Sequence, residues 1–296
     1  MNRYDYDPHK NRKRQHEPER DGEAFPTTGV APEPLLLKEM QRRALTMAVD
    51  FNPHDVANLL WALATMGITP EPSLLKAMQE RAIETVGDFT PQHITNVVWA
   101  LAMMGVEADP LLMKVMQGRA TATAVYFNAQ NVSNFVWALA MMGVRVNPRL
   151  LKAMQRRAMA TAVDFKAQEV ANFVWALAAM SAKSDPRLLE AMQRRATATA
   201  RDFTPPEVSN LMWALATMGV KADPLLLEAM QARATATARY FTPQDVANFV
   251  WALAMMGVKA DSIAREDVVM TEPDVVNTGK DIMTEAGVVV KHRYGR

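Results

Sequence analysis

Asn134-Phe135-Val136-Trp137-Ala138-Leu139-Ala140-Met141-Met142-Gly143 decides the fold, because near copies of it return along the chain. Its tryptophan recurs at Trp61, Trp99, Trp175, Trp213 and Trp251 in steps of 38 residues, and these six are all the tryptophans present. The asparagine three places upstream recurs as Asn58, Asn96, Asn172, Asn210 and Asn248. A fixed period held without an insertion marks a stacked array, in which a unit that cannot bury its apolar face alone does so against its neighbours.

Each copy carries the start and stop signals of two helices. Asp109-Pro110, Asn147-Pro148, Asp185-Pro186 and Asp223-Pro224 place a capping side chain before a proline at the first helical position. Glu33-Pro34 and Glu71-Pro72 are weaker versions. Helix A follows, and the chain then passes an aromatic found in every copy: Phe51, Phe89, Phe127, Phe165, Phe203 and Phe241. Thr242-Pro243-Gln244-Asp245 shows the second cap, with an acid three places after the threonine. Helix B is the opening stretch, and it stops at Gly67, Gly105, Gly143, Gly219 or Gly257. Ser181 replaces the glycine in the fourth copy, so a looser helix end is expected there. The fold class is therefore all-α: an α-solenoid of six 38-residue helix-turn-helix repeats over residues 33–260.

The flanks read differently. Residues 1–32 are polar, mixed in charge and interrupted by Pro8, Pro18, Pro26 and Pro32, which predicts a disordered arm. Residues 261–296 form an irregular tail, with Ser262 where a seventh copy needs proline. Nothing there is built to cap the sixth unit, so a protein partner at that uncapped end is an expectation. Acids are as frequent as bases over residues 1–24, whereas a transit peptide is poor in acids, so a cytoplasmic location is one expectation.

Composition narrows the function classes. The chain has 296 residues, 49% of them hydrophobic, and a net charge of +1, so any case for nucleic acid rests on where the charges sit. Without cysteine there are no disulfides or thiolate metal sites, and His9, His16, His54, His93 and His292 lack metal-ligand spacing. No apolar run is long enough to span a membrane. Catalysis needs one asymmetric constellation, and the sequence offers six copies of one surface instead. The expectation is a binding module with no cofactor.

The copies sort their own positions. On helix A, Leu150, Leu151, Met154, Ala158 and Thr161 hardly change between copies and form the packing face. Helix B is apolar nearly all round, so it is read as buried, and its tryptophans as core. The repeated arginines Arg43, Arg81, Arg119, Arg157, Arg195 and Arg233 sit at the edge of the packing face, with Asp50, Asp88, Asp164 and Asp202 as expected partners. The remaining face varies. Its cations are Lys38, Arg42, Lys76, Lys114, Arg149, Lys152, Arg156, Arg187, Arg194, Arg201 and Arg239. Stacking would align them into a positive stripe suited to a phosphate backbone.

The run from Phe241 to Ala254, Phe-Thr-Pro-Gln-Asp-Val-Ala-Asn-Phe-Val-Trp-Ala-Leu-Ala, resembles the core of the octotricopeptide repeat family, period included. It is also similar to the repeats that precede RAP domains in organellar RNA-metabolism proteins. The resemblance implies sequence-selective binding of single-stranded RNA in a chloroplast or mitochondrion, serving RNA processing, stability or translation. It further implies that each unit addresses about one nucleotide through exposed helix A residues. The alternative is a protein-interaction scaffold on the same fold, favoured by Glu80, Glu190 and Glu228 on the variable face.

Overall fold

A computed structural model describes residues 33–258 of the chain. These residues form helix pairs in strict alternation. The A helices are α1 (Pro34–Thr46), α3 (Pro72–Glu84), α5 (Pro110–Ala122), α7 (Pro148–Ala160), α9 (Pro186–Ala198) and α11 (Pro224–Thr237). The B helices are α2 (Pro53–Thr65), α4 (Pro91–Met104), α6 (Ala129–Met141), α8 (Ala167–Ala179), α10 (Pro205–Thr217) and α12 (Pro243–Met255). A single 3-10 turn joins A to B in each unit, and no strand occurs among the described residues. The arm and tail expected at residues 1–32 and 261–296 lie outside them.

The local signals act as read. Asp109 Oδ1 accepts from the Leu111 amide at 2.7 Å, and Asn147, Asp185 and Asp223 cap their helices in the same way. Glu33 and Glu71 form no side-chain cap. At α12 the cap is reciprocal: the Asp245 amide donates to Thr242 Oγ1 and the Thr242 amide donates to Asp245 Oδ2. The fourth B helix departs from expectation. Ser181 adopts the left-handed conformation of its glycine counterparts, with φ of 50°. Its amide still donates to Ala178 O at 2.9 Å, and the Ala182 amide to Leu177 O at 2.9 Å. The helix end is therefore as closed as the others, because the two backbone bonds hold a residue that would not choose this region alone.

The B helices form the tight row. Each lies along its predecessor and successor, whereas the A helices touch more sparingly. Close approach is possible because the crossing position is small in every unit: Ala57, Thr95, Ser133, Ala171, Ser209 and Ala247. Ser133 and Ser209 are fully buried there, and their hydroxyls donate to the carbonyls of Glu169 and Asp245 in the following unit at 2.9 and 3.0 Å. Trp99, Trp137 and Trp175 are buried, while Trp61, Trp213 and Trp251 are partly covered. Leu150, Met154 and Ala158 seal the A side. Phe89, Phe127, Phe165 and Phe203 have no exposed surface and anchor the A-to-B turns. Burying each such phenyl ring contributes about 1.5–3 kcal/mol.

The repeated arginines do not find the expected aspartates. Among the described residues no ion pair joins them to Asp50, Asp88, Asp164 or Asp202. From the second unit on, each reaches back into the preceding unit instead. Arg81 Nε donates to Phe51 O at 2.7 Å, Arg119 to Phe89 O at 2.9 Å and Arg233 to Phe203 O at 2.6 Å; Arg157 and Arg195 do the same with Phe127 and Phe165. A half-buried carbonyl needs a donor more than an exposed carboxylate does. A second bond runs forward. Oε1 of Gln79, Gln117 and Gln193 accepts from the amides of Asp109, Asn147 and Asp223, at the head of the next A helix.

Candidate nucleic-acid interface

Each A helix begins on proline, and in α7 Leu150, Met154 and Ala158 turn inward. The positions between them are left facing outward. Lys38, Arg42, Lys76, Lys114, Arg149, Lys152, Arg156, Arg187, Arg194, Arg201 and Arg239 are all exposed. Consecutive A helices are neighbours, so equivalent positions lie side by side. Arg149 and Arg187 hold equivalent positions on neighbouring helices, as do Arg156 and Arg194, so α7 and α9 carry a basic patch that Lys152 joins and Glu190, the equivalent of Lys152, interrupts. Lys114 extends it onto α5.

Other members of the stripe are set apart. Arg42 is bound to its own neighbour Glu39, Nη2 to Oε1 at 2.6 Å and Nε to Oε2 at 3.0 Å. That bond holds the Glu39 carboxyl below its ordinary range and raises the Arg42 guanidinium. Lys76 lies 3.7 Å from Glu80. Both pairs are solvent-exposed and weak, yet they set an acid beside two of the three stripe cations of the first two units, leaving Lys38 as the third. Arg201 and Arg239 sit on the 3-10 turns at the far end of helix A. Fourteen residues of helical rise separate Arg187 from Arg201, about 20 Å. Arg239 also lies 4.5 Å over the Tyr240 ring. The eleven cations are therefore one cluster plus outliers, not one continuous stripe.

The sparing contact between A helices leaves clefts at the B-to-A edge. One of about 590 Å³ opens between the heads of α5 and α7 and is lined by Met113, Lys114, Gln117, Val144 and Arg145. Another of about 560 Å³ is lined by Ala182, Lys183, Leu189, Glu190, Gln193 and Lys221. Three exposed loop cations, Arg145, Lys183 and Lys221, thus border the patch and were absent from the helix-face reading. Their signal was present: the second residue after the helix B stop reads Thr69, Glu107, Arg145, Lys183, Lys221. A helical wheel does not look at loops.

A cleft of mixed polar and apolar lining with cations on its rim can take a base and its phosphate together. Trp99, Trp137 and Trp175 expose only 3%, 7% and 5% of their surface and offer no face for base stacking. Of the repeated asparagines Asn172 is buried and the other five are partly exposed, and Asn58 Nδ2 bonds His54 Nε2 at 2.8 Å. Among the described residues no group of His, Asp and Glu is arranged to hold a metal ion, and no helix is long and apolar enough to cross a membrane.

A family model described as RNA-editing substrate-binding complex 6 protein matches residues 32–261. These limits coincide with the six helix pairs. No curated protein matches the chain.

Proposed function

The chain belongs to the RNA-editing substrate-binding complex 6 protein family, and from that membership we propose that it binds single-stranded RNA as a subunit of an RNA-editing assembly. The observation that carries the reading is the basic patch of Lys114, Arg149, Lys152, Arg156, Arg187 and Arg194, set beside inter-unit clefts with Arg145, Lys183 and Lys221 on their rims. Phosphates meet the guanidinium and ammonium groups, and unstacked bases meet the cleft floors. Residues differing from unit to unit at the A helix surface give each unit its own preference, as the likeness of helix B to octotricopeptide repeats also supports. Action in a mitochondrion or chloroplast belongs to the same reading and rests on that likeness alone. The chain works as a binding module, and chemistry on the RNA is left to other subunits.

The test is a titration of single-stranded oligonucleotides of graded length at several salt concentrations. Affinity is expected to climb with length until the patch is covered, and log K to fall with log salt by about 0.7 per phosphate neutralised. Lys114→Glu, Lys152→Glu and Arg156→Glu together should abolish binding while leaving the helical signal unchanged. Absence of binding to any RNA pool at low salt rejects the proposal.

A further inference from the structure

The two ends of the array are a matched pair, and we propose that copies of this chain stack head to tail, with α1 of one copy taking the seventh-unit place against α11 and α12 of another. At the C-terminal end Val246 and Val250 are 49% and 57% exposed, whereas their equivalents Val208 and Met212 on α10 are fully buried by the next unit. At the other end Leu36 and Met40 are each 52% exposed, against 1% and 0% for Leu74 and Met78 on α3. Each end lacks the covering that the other end presents.

The polar groups that lock interior units are also split between the ends. Arg43 is the equivalent of Arg81 and is exposed on α1, where no earlier helix pair among the described residues supplies a carbonyl. The Phe241 carbonyl occupies the place of the Phe203 carbonyl, which accepts from Arg233 of the following unit. An incoming Arg43 would meet it in the geometry already used five times within the chain. Gln231 turns its amide to Leu227 O of its own helix at 3.2 Å, while its counterpart Gln193 accepts from the head of the next A helix. The Glu33 amide of a second copy would take that role.

Charge favours the same pairing. One helix A position reads Lys38, Lys76, Lys114, Lys152, Glu190 and Glu228. Continued into a second copy, Glu228 would stand beside Lys38, an opposite pair where units one to four repeat a lysine at equivalent positions. Residues 259–296 hold no copy of the helix pair, so they do not reproduce the Leu36, Met40 and Arg43 pattern that fits this place. Because the two surfaces differ, the contact is heterologous and grows as an open stack or closes as a ring.

Sedimentation velocity of the full chain tests the proposal. The wild type should gain mass as concentration rises. Val250→Arg and Leu36→Arg alter only exposed side chains, and each should stay monomeric alone. Mixed in equal amounts they should form dimers and nothing larger, since one intact end of each type remains. Glu228→Lys should weaken association about tenfold, and adding Lys38→Glu should restore it. A wild type that stays monomeric at the highest attainable concentration overturns the proposal, including the case in which its own tail covers α12. So does a single end variant that still dimerises, which would mark a two-fold contact, or a mixture that remains monomeric.

Discussion

Arg119 Nε donates to the backbone carbonyl of Phe89 at 2.9 Å, across the boundary between the second and third units. The bond ties the last turn of one A helix to the A-to-B turn of the unit before it. Arg119→Met is expected to leave that carbonyl without its charged donor and to cost about 1–3 kcal/mol. Arg43→Met, at the start of the array, should cost less than half as much in dilute monomer. Urea denaturation of both variants checks this. Equal losses would mean that the arginine acts within its own unit.

The serine at the helix B crossing makes a second, sharper prediction. Ser133 is fully buried and donates to Glu169 O at 2.9 Å. Ser133→Ala should cost about 1 kcal/mol, since Ala171 fills the same place in the next unit and only the hydrogen bond is lost. Ser133→Leu forces α6 and α8 apart and should cost more, about 1–3 kcal/mol beyond the alanine variant. Thermal melts that rank the two variants the other way would contradict close B-helix packing as the spine of the fold.

Ser181 holds a left-handed conformation that five glycines hold elsewhere in the array. An L-residue with a Cβ is strained there. Ser181→Gly should therefore raise stability by about 0.5–1 kcal/mol. Calorimetry showing no gain would mean that the serine makes a compensating contact at this helix end.

The sequence announces this architecture because one period controls everything that is local. Caps, prolines, buried leucines and stop glycines act within a few residues, and six copies separate what the core fixes from what the surface leaves free. What it hides is the partner across the boundary. Arg157 reaches Phe127 thirty residues back, and Gln117 reaches Asn147 thirty residues on. Charge complementarity pointed to Asp164 for Arg157, while the actual acceptor is a backbone carbonyl that no side-chain pattern shows. The interface was legible in the same partial way. Exposure of Lys152 and Arg156 follows from the helical wheel, but Arg145 and Lys183 border the patch only because A helices stand apart at their heads.

His93 makes the second unit sensitive to acid. Its Nδ1 accepts from the Thr90 amide at 3.5 Å, and its ring meets Phe89 and His54 edge-on. Burial, reinforced by the charge of His54, pushes its pKa down from the ordinary value. In the unfolded chain the imidazole titrates near about 6.5. Above that pH it is neutral in both states and its contribution is complete. As pH falls through about 6.5 the unfolded chain takes the proton first, so stability declines until the folded value is also passed. Protonation also removes the acceptor of the α4 cap. His93→Gln should flatten the loss of melting temperature between neutral and mildly acidic buffer, and a variant with an unchanged slope would assign that loss to other groups.

The division between helix face and loop edge yields the last prediction. If RNA follows the cleft rims, Arg145→Glu with Lys183→Glu should weaken binding at least as much as Lys152→Glu with Arg156→Glu, although the first pair lies off the helix surface. Each lost phosphate contact should lower the salt slope by about 0.7. Arg201→Glu with Arg239→Glu, on the turns that follow α9 and α11, should change neither affinity nor slope appreciably. Filter binding of the three double variants at matched salt distinguishes the two routes. A loss confined to the Arg201 and Arg239 variant would move the track to the A-to-B turns, where Val125, Tyr126 and Val163 stand exposed and bases would find apolar surface instead of clefts.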